Sequence, residues 1–346
     1  MELPRKILIG DGVIHSLGAF VRDLGYGSSK IAFVSGNTVK QRAGDACLSS
    51  FQGLGIEDSW YIVVDSSIAA VNKLKKMLAV RTPDLIIGLG GGRSVDVAKM
   101  TAFELNRPCI SVPTSASHDG ISSPFVSIRG TKKPYSVKAN TPVGVLADTS
   151  VLAQAPSRLM ASGCGDLVAK FTAVKDWQLA RDEHDEYFGS YAANLADMSA
   201  KIILSESRRL MGRGTSGIRI VIEALISAGV AACIAGSSRP CSGAEHLFSH
   251  AVEYIAGQNY GLHGERVGLG TIMMAKLHEL DWEVIVETLE RVGAPTKAKE
   301  IRLDERAVVI SLLAAQSLRP DRYTILNKAK LNKRSAFELA RSVRII

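Results

Sequence analysis

The sequence predicts an α/β N-terminal Rossmann-like domain over residues 1–150 and an all-α C-terminal domain over residues 151–346. In the first 150 residues, short β-rich runs alternate with segments of helical spacing, which indicates a doubly wound parallel sheet. Ala155-Pro156-Ser157 is typical of a helix start, and from there long helical patterns leave almost no β-rich run. The length of 346 residues suits about two domains, at roughly 150 residues each.

The β-rich runs of the first domain are apolar without strict alternation, as expected for parallel strands that are covered on both faces of the sheet. We predict strands at Lys6–Ile9, Ile31–Ser35, Tyr61–Val64, Leu85–Leu89, Ile110–Val112 and Val143–Leu146. Helical spacing between them is clear over Val71–Leu78 and Val95–Leu105.

Glycine and proline divide the second domain into helices. The predicted breaks are Gly163–Gly165, Gly212–Gly217, Gly236–Pro240, Gly257–Gly264, Gly293–Pro295 and Arg319–Asp321. The most apolar stretch, Ile218–Ala235, contains Arg219 and Glu223, so it lacks the roughly 18 charge-free residues of a membrane span. We expect it to be a buried helix, and we expect no stable membrane insertion.

Charge and cysteine content narrow the class of protein. The net charge of +8 is mild, and no aromatic residues interleave with the C-terminal cations, so we expect a solvated helix face and no nucleic-acid partner. Attraction for an anionic substrate or lipid headgroup remains an alternative for this excess. Five cysteines without a C-x-x-C pair indicate reduced thiols, and the N-terminus MELPRKILIG contains no targeting pattern, so we expect a cytoplasmic protein.

A glycine-rich turn, GLGGGRSVDVAK, follows the predicted strand Leu85–Leu89. Glycines allow the backbone to approach a pyrophosphate, and the first turn of the next helix supplies N–H donors. Arg93 or Ser94 could add a side-chain donor, and we expect Asp96 in the first helical turn. The spacing is not G-x-G-x-x-G, so a tight strand–helix turn without a ligand is the alternative.

A second polar stretch, PTSASHDGISSP, follows the strand that ends at Val112. Because ligands of doubly wound sheets bind beyond the carboxyl ends of strands, this stretch and the glycine turn could serve one nucleotide. Its hydroxyl donors are Thr114, Ser115, Ser117 and Ser123, and its ionisable residues are His118 and Asp119. A solvated loop is the alternative.

The end of the second strand bears on the choice between NADH and NADPH. No acidic residue lies within Ser35–Lys40, where a carboxylate would hold the ribose 2′-hydroxyl of NAD. This leaves room for a 2′-phosphate, with Lys40 or Arg42 as partners.

One carboxylate and two histidines of the second domain form a candidate metal site. His246 and His250 are four residues apart on one predicted helix face, and His263 follows in LHGERV. Asp166 lies in GCGDLVAK, where we expect a loop to turn into a helix. An Asp/His/His set suits Zn²⁺ with an open coordination position. The alternative is a set of polar helix caps, of which Ser242 and Glu245 predict one as an S-x-x-E capping box.

Taken together, these motifs resemble one family. They read GLGGGRSVDVAK, PTSASHDGISSP, PVGVLADT, GCGDLVAKFTAVKDW, SGAEHLFSHAVEY and LHGERVGLGT, and they cover roughly residues 30 to 275 in order. In combination they are similar to sn-glycerol-1-phosphate dehydrogenases, which belong with iron-type alcohol dehydrogenases, glycerol dehydrogenases and dehydroquinate synthases.

The resemblance implies a dehydroquinate synthase-like fold and the reduction of dihydroxyacetone phosphate by NADPH or NADH to sn-glycerol 1-phosphate, the backbone of archaeal ether lipids. It implies one Zn²⁺ per subunit and a homodimer or larger homo-oligomer. The implied metal ligands are Asp166, His246 and His263, and the implied substrate contacts are Asp119, Asp166 and His250. The implied cofactor contacts are Gly92, Arg93, Ser94, Val95, Asp96, Thr114, Ser115, Ala116, Ser117 and Ser123.

We expect Asp119 and His250 to be the catalytic residues, Asp119 by orienting a substrate hydroxyl and His250 by relaying a proton or by acting as a hydrogen-bond partner of the site. Candidates for the substrate phosphate are Lys138, Arg239 and Arg266. Three alternatives remain: a Zn-dependent glycerol or alcohol dehydrogenase with an unphosphorylated substrate, a dehydroquinate synthase-like lyase, and a nucleotide-binding regulator without turnover. The lyase branch has Glu as its first ligand, whereas this chain has Asp166.

Overall fold

A computed structural model of the chain describes residues 1–27, 29–130, 136–210, 215–257 and 259–346. The chain divides into two compact units. Unit 1 comprises Met1–Ala116, Gly120–Pro156 and Gly214–Ile222, and unit 2 comprises Ser117–Asp119, Ser157–Arg213 and Glu223–Ile346.

Unit 1 is built on a six-stranded sheet whose strand pairs are all parallel. The strands of the described residues are β1 (Lys6–Gly10), β2 (Lys30–Ser35), β3 (Glu57–Ile62), β4 (Leu85–Gly90), β5 (Cys109–Pro113), β6 (Phe125–Val126), β7 (Val137–Lys138) and β8 (Gly144–Asp148). The order in the large sheet is β1-β8-β5-β4-β2-β3, and β6 and β7 form a separate antiparallel pair.

The helices of unit 1 cover both faces of this sheet. They are α1 (Leu17–Val21), α2 (Asn37–Ser49), α3 (Ile68–Val80), α4 (Gly92–Glu104) and α5 (Thr149–Ala153). Alternate residues of one strand enter different cores: Phe33 packs with Phe20 and Phe51, whereas Val34 packs with Val71. Burial on both faces is the reason that the strands are apolar without alternation.

One predicted strand is displaced. The prediction of Tyr61–Val64 is wrong at both ends, because β3 spans Glu57–Ile62. It pairs with β2 in a register that places Lys30 opposite Glu57 and Ser35 opposite Ile62. β3 is an edge strand, so it tolerates polar residues that do not look like a strand of a buried sheet.

The described residues of unit 2 contain helices and no strand. Unit 2 includes α6 (Ser157–Val168), α7 (Lys170–His184), α8 (Ser190–Leu210), α10 (Ala244–Ala256), α11 (His263–Leu277), α12 (Trp282–Arg291), α13 (Glu305–Leu318), α14 (Ile325–Ala329) and α15 (Lys333–Ser342). The helix between α8 and α10 is α9 (Thr215–Ala235), whose residues up to Ile222 group with unit 1. By length and composition α9 could cross a membrane, but 56% of its apolar window is buried within the protein, as in the core helix of a globular fold.

The predicted break at Gly163–Gly165 is wrong, since these residues lie inside α6. A Cβ on Gly165 would lie 2.3 Å from the carbonyl oxygen of Gly264, and one on Gly264 would lie 1.8 Å from that of Ser162. The glycines therefore permit close contact of two helices rather than a break.

The predicted break at Gly212–Gly217 falls partly on residues 211–214, outside the described residues, and Gly217 lies in α9. The other four predicted breaks each separate two helices, but the break predicted at Gly257–Gly264 is too long, because His263 and Gly264 already lie in α11.

Candidate active site

Three helices of unit 2 bring Asp166, His246 and His263 together. Asp166 lies in the last turn of α6, not at a loop–helix junction as predicted; His246 lies in the first turn of α10, and His263 begins α11. One ligand atom from each lies within 4.8 Å of the other two. Asp166 Oδ1 is 3.2 Å from His246 Nε2 and 4.0 Å from His263 Nε2. The sequence-predicted ligand set is thus assembled in space.

His246 is oriented by a buried carboxylate. Its Nδ1 lies 2.8 Å from Glu245 Oε1, which also accepts a hydrogen bond from the Gly243 main-chain N–H at 2.6 Å. The Thr172 hydroxyl donates to Glu245 Oε2 at 2.8 Å. When Nδ1 donates to Glu245, the lone pair of Nε2 faces Asp166, which is the usual arrangement behind a metal-binding histidine.

This use of Glu245 corrects the predicted capping box. The N-cap of α10 is Gly243, with no side-chain cap, and the helix begins at Ala244 rather than after Ser242. Glu245 binds the Gly243 N–H and His246 instead of capping through Ser242.

Burial and neighbouring charges shift the pKa values of the three cluster residues in different directions. Burial alone would raise the pKa of Asp166, but Lys170 and the two histidines outweigh it and hold the pKa well below its usual value. Burial, followed by the charge of His246, lowers the pKa of His263 well below its usual value. Burial would also lower the pKa of His246, but its hydrogen bonds to Asp166 and Glu245 raise it.

One carboxylate oxygen and two imidazole nitrogens are ligands that Zn²⁺ and similar metals accept, with coordination positions left for substrate. The Glu245 hydrogen bond to His246 adds the expected outer support. The residues therefore fit one metal ion.

Lys170, which the sequence reasoning did not single out, belongs to this site. It begins α7 and is fully buried. Its Nζ lies 2.8 Å from Asp119 Oδ2 and 3.2 Å from Asp166 Oδ1, and it donates to the Cys241 carbonyl at 3.3 Å. Burial alone would lower the pKa of Lys170, but the charges of Asp119 and Asp166 raise it. Its only signal in the sequence is its spacing of four residues from Asp166.

Asp119 is linked to the same cluster. Its main-chain N–H donates to Asp166 Oδ2 at 3.0 Å, while its carboxylate pairs with Lys170. The segment Ser117–Asp119 groups with unit 2 although its chain neighbours group with unit 1.

His250 is buried one turn after His246 on α10, with its ring centroid 6.0 Å from that of His263. Burial, followed by the positive charges of His246 and three arginines, lowers the pKa of His250 to about 3. The arginines are Arg266, Arg319 and Arg322. The imidazole of His250 is therefore neutral near pH 7.

The predicted cofactor residues of unit 1 lie at the start of α4 and in the segment that follows β5. Gly92, Arg93, Ser94, Val95 and Asp96 open α4, directly after β4 and the N-cap Gly91. Thr114 N–H donates to the Gly90 carbonyl at 3.0 Å, and a Cβ on Gly91 would lie 3.1 Å from Ser115 Oγ. The structure thus joins the start of α4 to the segment that contains Thr114, Ser115 and Ala116. Ser117 groups with unit 2.

Asp96 lies beyond the first turn of α4, so the prediction of a first-turn carboxylate is wrong. It is buried, and its Oδ2 accepts the Ser127 main-chain N–H at 2.9 Å. Arg93 is exposed and donates to the Val64 carbonyl at 2.9 Å.

Buried Lys99 holds the loop that contains Ser123. Its Nζ donates to the main-chain carbonyls of Gly120, Ser123 and Phe125 at 2.6, 2.8 and 2.6 Å. A lysine of α4 therefore fixes the second polar loop against the helix that opens with the glycine turn.

The three residues predicted as candidates for the substrate phosphate differ in their exposure and in their partners. Lys138 is exposed on β7 in unit 1. Arg239 is buried in unit 2 and binds Glu186 through two nitrogens. Arg266 is buried in unit 2 and binds Ser249, the Gly261 carbonyl and Glu253.

Comparison with known proteins first supports the fold. Residues 8–156 match a family model described as iron-containing alcohol dehydrogenase. The fold is similar to that of a glycerol dehydrogenase from Schizosaccharomyces pombe, with a TM-score of 0.81 and 20% identity over 99% of this chain and 90% of that chain. This likeness confirms the predicted two-part fold class.

Closer relatives define the family. A glycerol-1-phosphate dehydrogenase (NAD(P)+) from Nitrosopumilus maritimus is 49% identical over 346 residues, covering 100% of this chain and 97% of the relative. One of the same name from Cenarchaeum symbiosum is 51% identical over 341 residues, covering 99% of this chain and 95% of the relative. The chain belongs to the glycerol-1-phosphate dehydrogenase family, as its motifs predict.

Proposed function

We propose that this chain is an NAD(P)-dependent oxidoreductase that reduces dihydroxyacetone phosphate to sn-glycerol 1-phosphate in the cytoplasm, and that the product becomes the backbone of archaeal membrane lipids. The observation that carries the proposal is the 49% identity, over the whole chain, to a relative named for this activity. The gathered Asp166, His246 and His263 support it, because a carbonyl reduction benefits from a metal ion with open positions.

Asp166, His246 and His263 would hold one Zn²⁺ per chain. When bound, the metal would polarise the substrate carbonyl and the nicotinamide would supply hydride. Gly92 to Asp96 at the start of α4, together with Thr114 to Ser117 and Ser123, would bind the dinucleotide, and the main-chain N–H groups of the first turn of α4 would face its phosphates. Asp119, held by Lys170, would accept a hydrogen bond from a substrate hydroxyl.

His250 would act in its neutral form. With a pKa of about 3 it cannot serve as a reservoir of protons near pH 7. A neutral imidazole can still donate a hydrogen bond from its N–H to the oxygen on substrate C2. It can transfer that proton to the oxygen while its second nitrogen accepts a proton from another donor. We therefore propose that His250 donates a hydrogen bond to this oxygen and that its imidazole relays a proton to it.

The substrate phosphate would bind near His250. Arg266, Arg319 and Arg322 each place a positive charge near this side chain, and guanidinium groups are favourable partners for a phosphate dianion; Arg266 also pairs with Glu253, and Arg319 with Asp321. Arg319 is the most accessible of the three, with 18% of its side chain exposed against 6% for Arg266.

We expect Arg319→Met to raise KM for dihydroxyacetone phosphate about tenfold or more, without the same change for dihydroxyacetone. Lys328→Met, which removes a half-exposed charge of the same unit, is the control and should change neither KM.

The direct test is NADPH oxidation with dihydroxyacetone phosphate, before chelation, after chelation and after addition of Zn²⁺, followed by determination of product chirality. Turnover that Zn²⁺ restores, with only the sn-1 enantiomer formed, is the expected result. Turnover of glycerol or dihydroxyacetone, but none of the phosphate ester, would instead assign an unphosphorylated polyol as substrate.

Two variants separate metal binding from substrate chemistry. His263→Ala should lose bound metal and turnover together, because it removes a ligand. His250→Ala should retain the metal and lose turnover. If His263→Ala keeps full metal content and activity, the proposed ligand set is wrong.

We further propose a homodimer or larger homo-oligomer. Exposed apolar side chains recur along and just before α8, at Tyr187, Tyr191, Met198 and Ile202, and such side chains are common at contacts between subunits. Light scattering after size-exclusion chromatography measures the assembly size, and a monomer would contradict this part of the proposal.

A further inference from the structure

Lys170 is a buried cation in direct contact with the proposed metal ligand. Its ammonium is shared by two carboxylates, at 2.8 Å from Asp119 Oδ2 and 3.2 Å from Asp166 Oδ1. A fully buried ammonium is costly unless anions surround it, so these two carboxylates account for its presence.

The contact falls on the oxygen that faces the histidines. Asp166 Oδ1, which Lys170 touches, is also the oxygen nearest His246 Nε2, at 3.2 Å. The other oxygen, Oδ2, is held by the Asp119 main-chain N–H at 3.0 Å. Asp119, Asp166 and Lys170 therefore form a closed ring of hydrogen bonds and ion pairs that gives each carboxylate one orientation.

The charge of Lys170 has a second consequence. The ammonium neutralises one of the two carboxylates, of which Asp166 is buried and Asp119 is partly exposed, and a divalent cation at Asp166 Oδ1 would experience repulsion from it in a medium of low dielectric constant. The same ammonium keeps the carboxylate of Asp119 in place in unit 2. One side chain therefore acts on metal affinity and on substrate orientation in opposite senses.

We propose that Lys170 is a positioning residue that links Asp119 to Asp166, weakening metal binding while it orients the carboxylate that contacts substrate. The part that concerns Asp119 and substrate rests on the proposed function. The part that concerns the metal does not, because metal binding is measured without substrate or cofactor.

The test uses the full-length protein, freed of metal by chelation, with Zn²⁺ or Co²⁺ as the probe. Lys170→Met should bind Zn²⁺ at least tenfold more tightly in a competition titration with a chromophoric chelator. The visible absorption of the Co²⁺ protein should also shift, since Asp166 loses a hydrogen bond on its ligand oxygen. In the same variant KM for dihydroxyacetone phosphate should rise about tenfold or more. A simple folding defect would weaken metal and substrate binding together.

Two further variants make the outcome decisive. Lys175→Met removes an exposed lysine of the same helix and should leave the Zn²⁺ affinity and the Co²⁺ spectrum unchanged. Lys170→Met combined with Asp119→Asn removes the opposing charge as well, so its Zn²⁺ affinity should return to within about threefold of the wild type. If Lys170→Met alone folds poorly, the Zn²⁺ affinity of this double variant still tests the charge argument.

Unchanged or weaker Zn²⁺ binding in Lys170→Met, with the wild-type chain binding Zn²⁺, overturns this inference and leaves the proposed function standing. A wild-type chain that binds Zn²⁺ but does not turn over dihydroxyacetone phosphate contradicts the proposed function, and the metal titrations of Lys170→Met still decide this inference. Tighter Zn²⁺ binding without a rise in KM overturns the link to Asp119.

Discussion

The contact between α6 and α11 at Gly264 makes the metal site sensitive to one methyl group. In Gly264→Ala the new Cβ would lie 1.8 Å from the carbonyl oxygen of Ser162. A carbon and an oxygen pack at roughly 3.4 Å, so the two helices must separate by ~1.5 Å. Overpacking of this kind costs about 1–3 kcal/mol of the free energy of unfolding.

The same separation acts on the ligands, because His263 directly precedes Gly264 in α11 and Asp166 lies in α6. Two ligands that are each about 2.0–2.2 Å from one ion can be at most ~4.2 Å apart. Asp166 Oδ1 and His263 Nε2 are already 4.0 Å apart, so there is little room to move. We expect a loss of Zn²⁺ affinity of about 100-fold or more, beyond the 10–100-fold effect of disturbing an outer hydrogen bond.

Chelator-competition titration and chemical unfolding measure the two effects, and Gly268→Ala is the matched control. It lies one turn later on α11, and its Cβ would lie 3.4 Å from Leu289 and 3.8 Å from the Cα of Gly165, which are ordinary contacts. That variant should bind Zn²⁺ normally and gain up to about 1 kcal/mol of stability from helix propensity. If Gly264→Ala binds Zn²⁺ and unfolds like Gly268→Ala, the helix contact does not set the ligand spacing.

Three further predictions follow from single buried groups. Burial alone would raise the pKa of Asp148, but hydrogen bonds from the Ser150 hydroxyl and from the Ile14 N–H outweigh it and lower the pKa. The stabilising effect of the Asp148 carboxylate is therefore complete above the unfolded-state pKa of about 3.9 and is lost as the pH falls through the folded-state value. Asp148→Asn should lower the free energy of unfolding by about 1–2 kcal/mol at pH 7, and this difference should narrow below pH ~4 in urea titrations; a constant difference would contradict the assignment. Glu245→Gln should weaken Zn²⁺ binding about 10–100-fold by loosening His246, and unaltered affinity in the chelator titration would remove Glu245 from the site. Lys99→Met should leave three carbonyls without their ammonium and raise KM for NADPH several-fold with Zn²⁺ binding unchanged, and an unchanged KM would show that the loop needs no such support.

Sequence reasoning reached the metal cluster because chemistry restricts the residues that can serve. Asp166, His246 and His263 belong to motifs whose residue types suit a metal, and the structure gathers their ligand atoms. The same reasoning did not include Lys170, because a lysine four residues after an aspartate also fits an exposed ion pair on a helix. Only the packing of α7 in unit 2 buries its ammonium between Asp119 and Asp166.

Local patterns also predicted the parallel sheet and several of the helix boundaries, because burial on both faces requires apolar strands and because glycine and proline end helices. They could not distinguish a glycine that ends a helix from one that lets two helices touch, and Gly165 is of the second kind. Nor could they fix the charge state of His250, whose pKa of about 3 arises from burial, from the charge of His246 and from three arginines, of which Arg319 and Arg322 are distant in the chain. The residue types able to do the chemistry are local information, whereas their distances and charges come from contacts between segments far apart in sequence, which only the tertiary structure supplies.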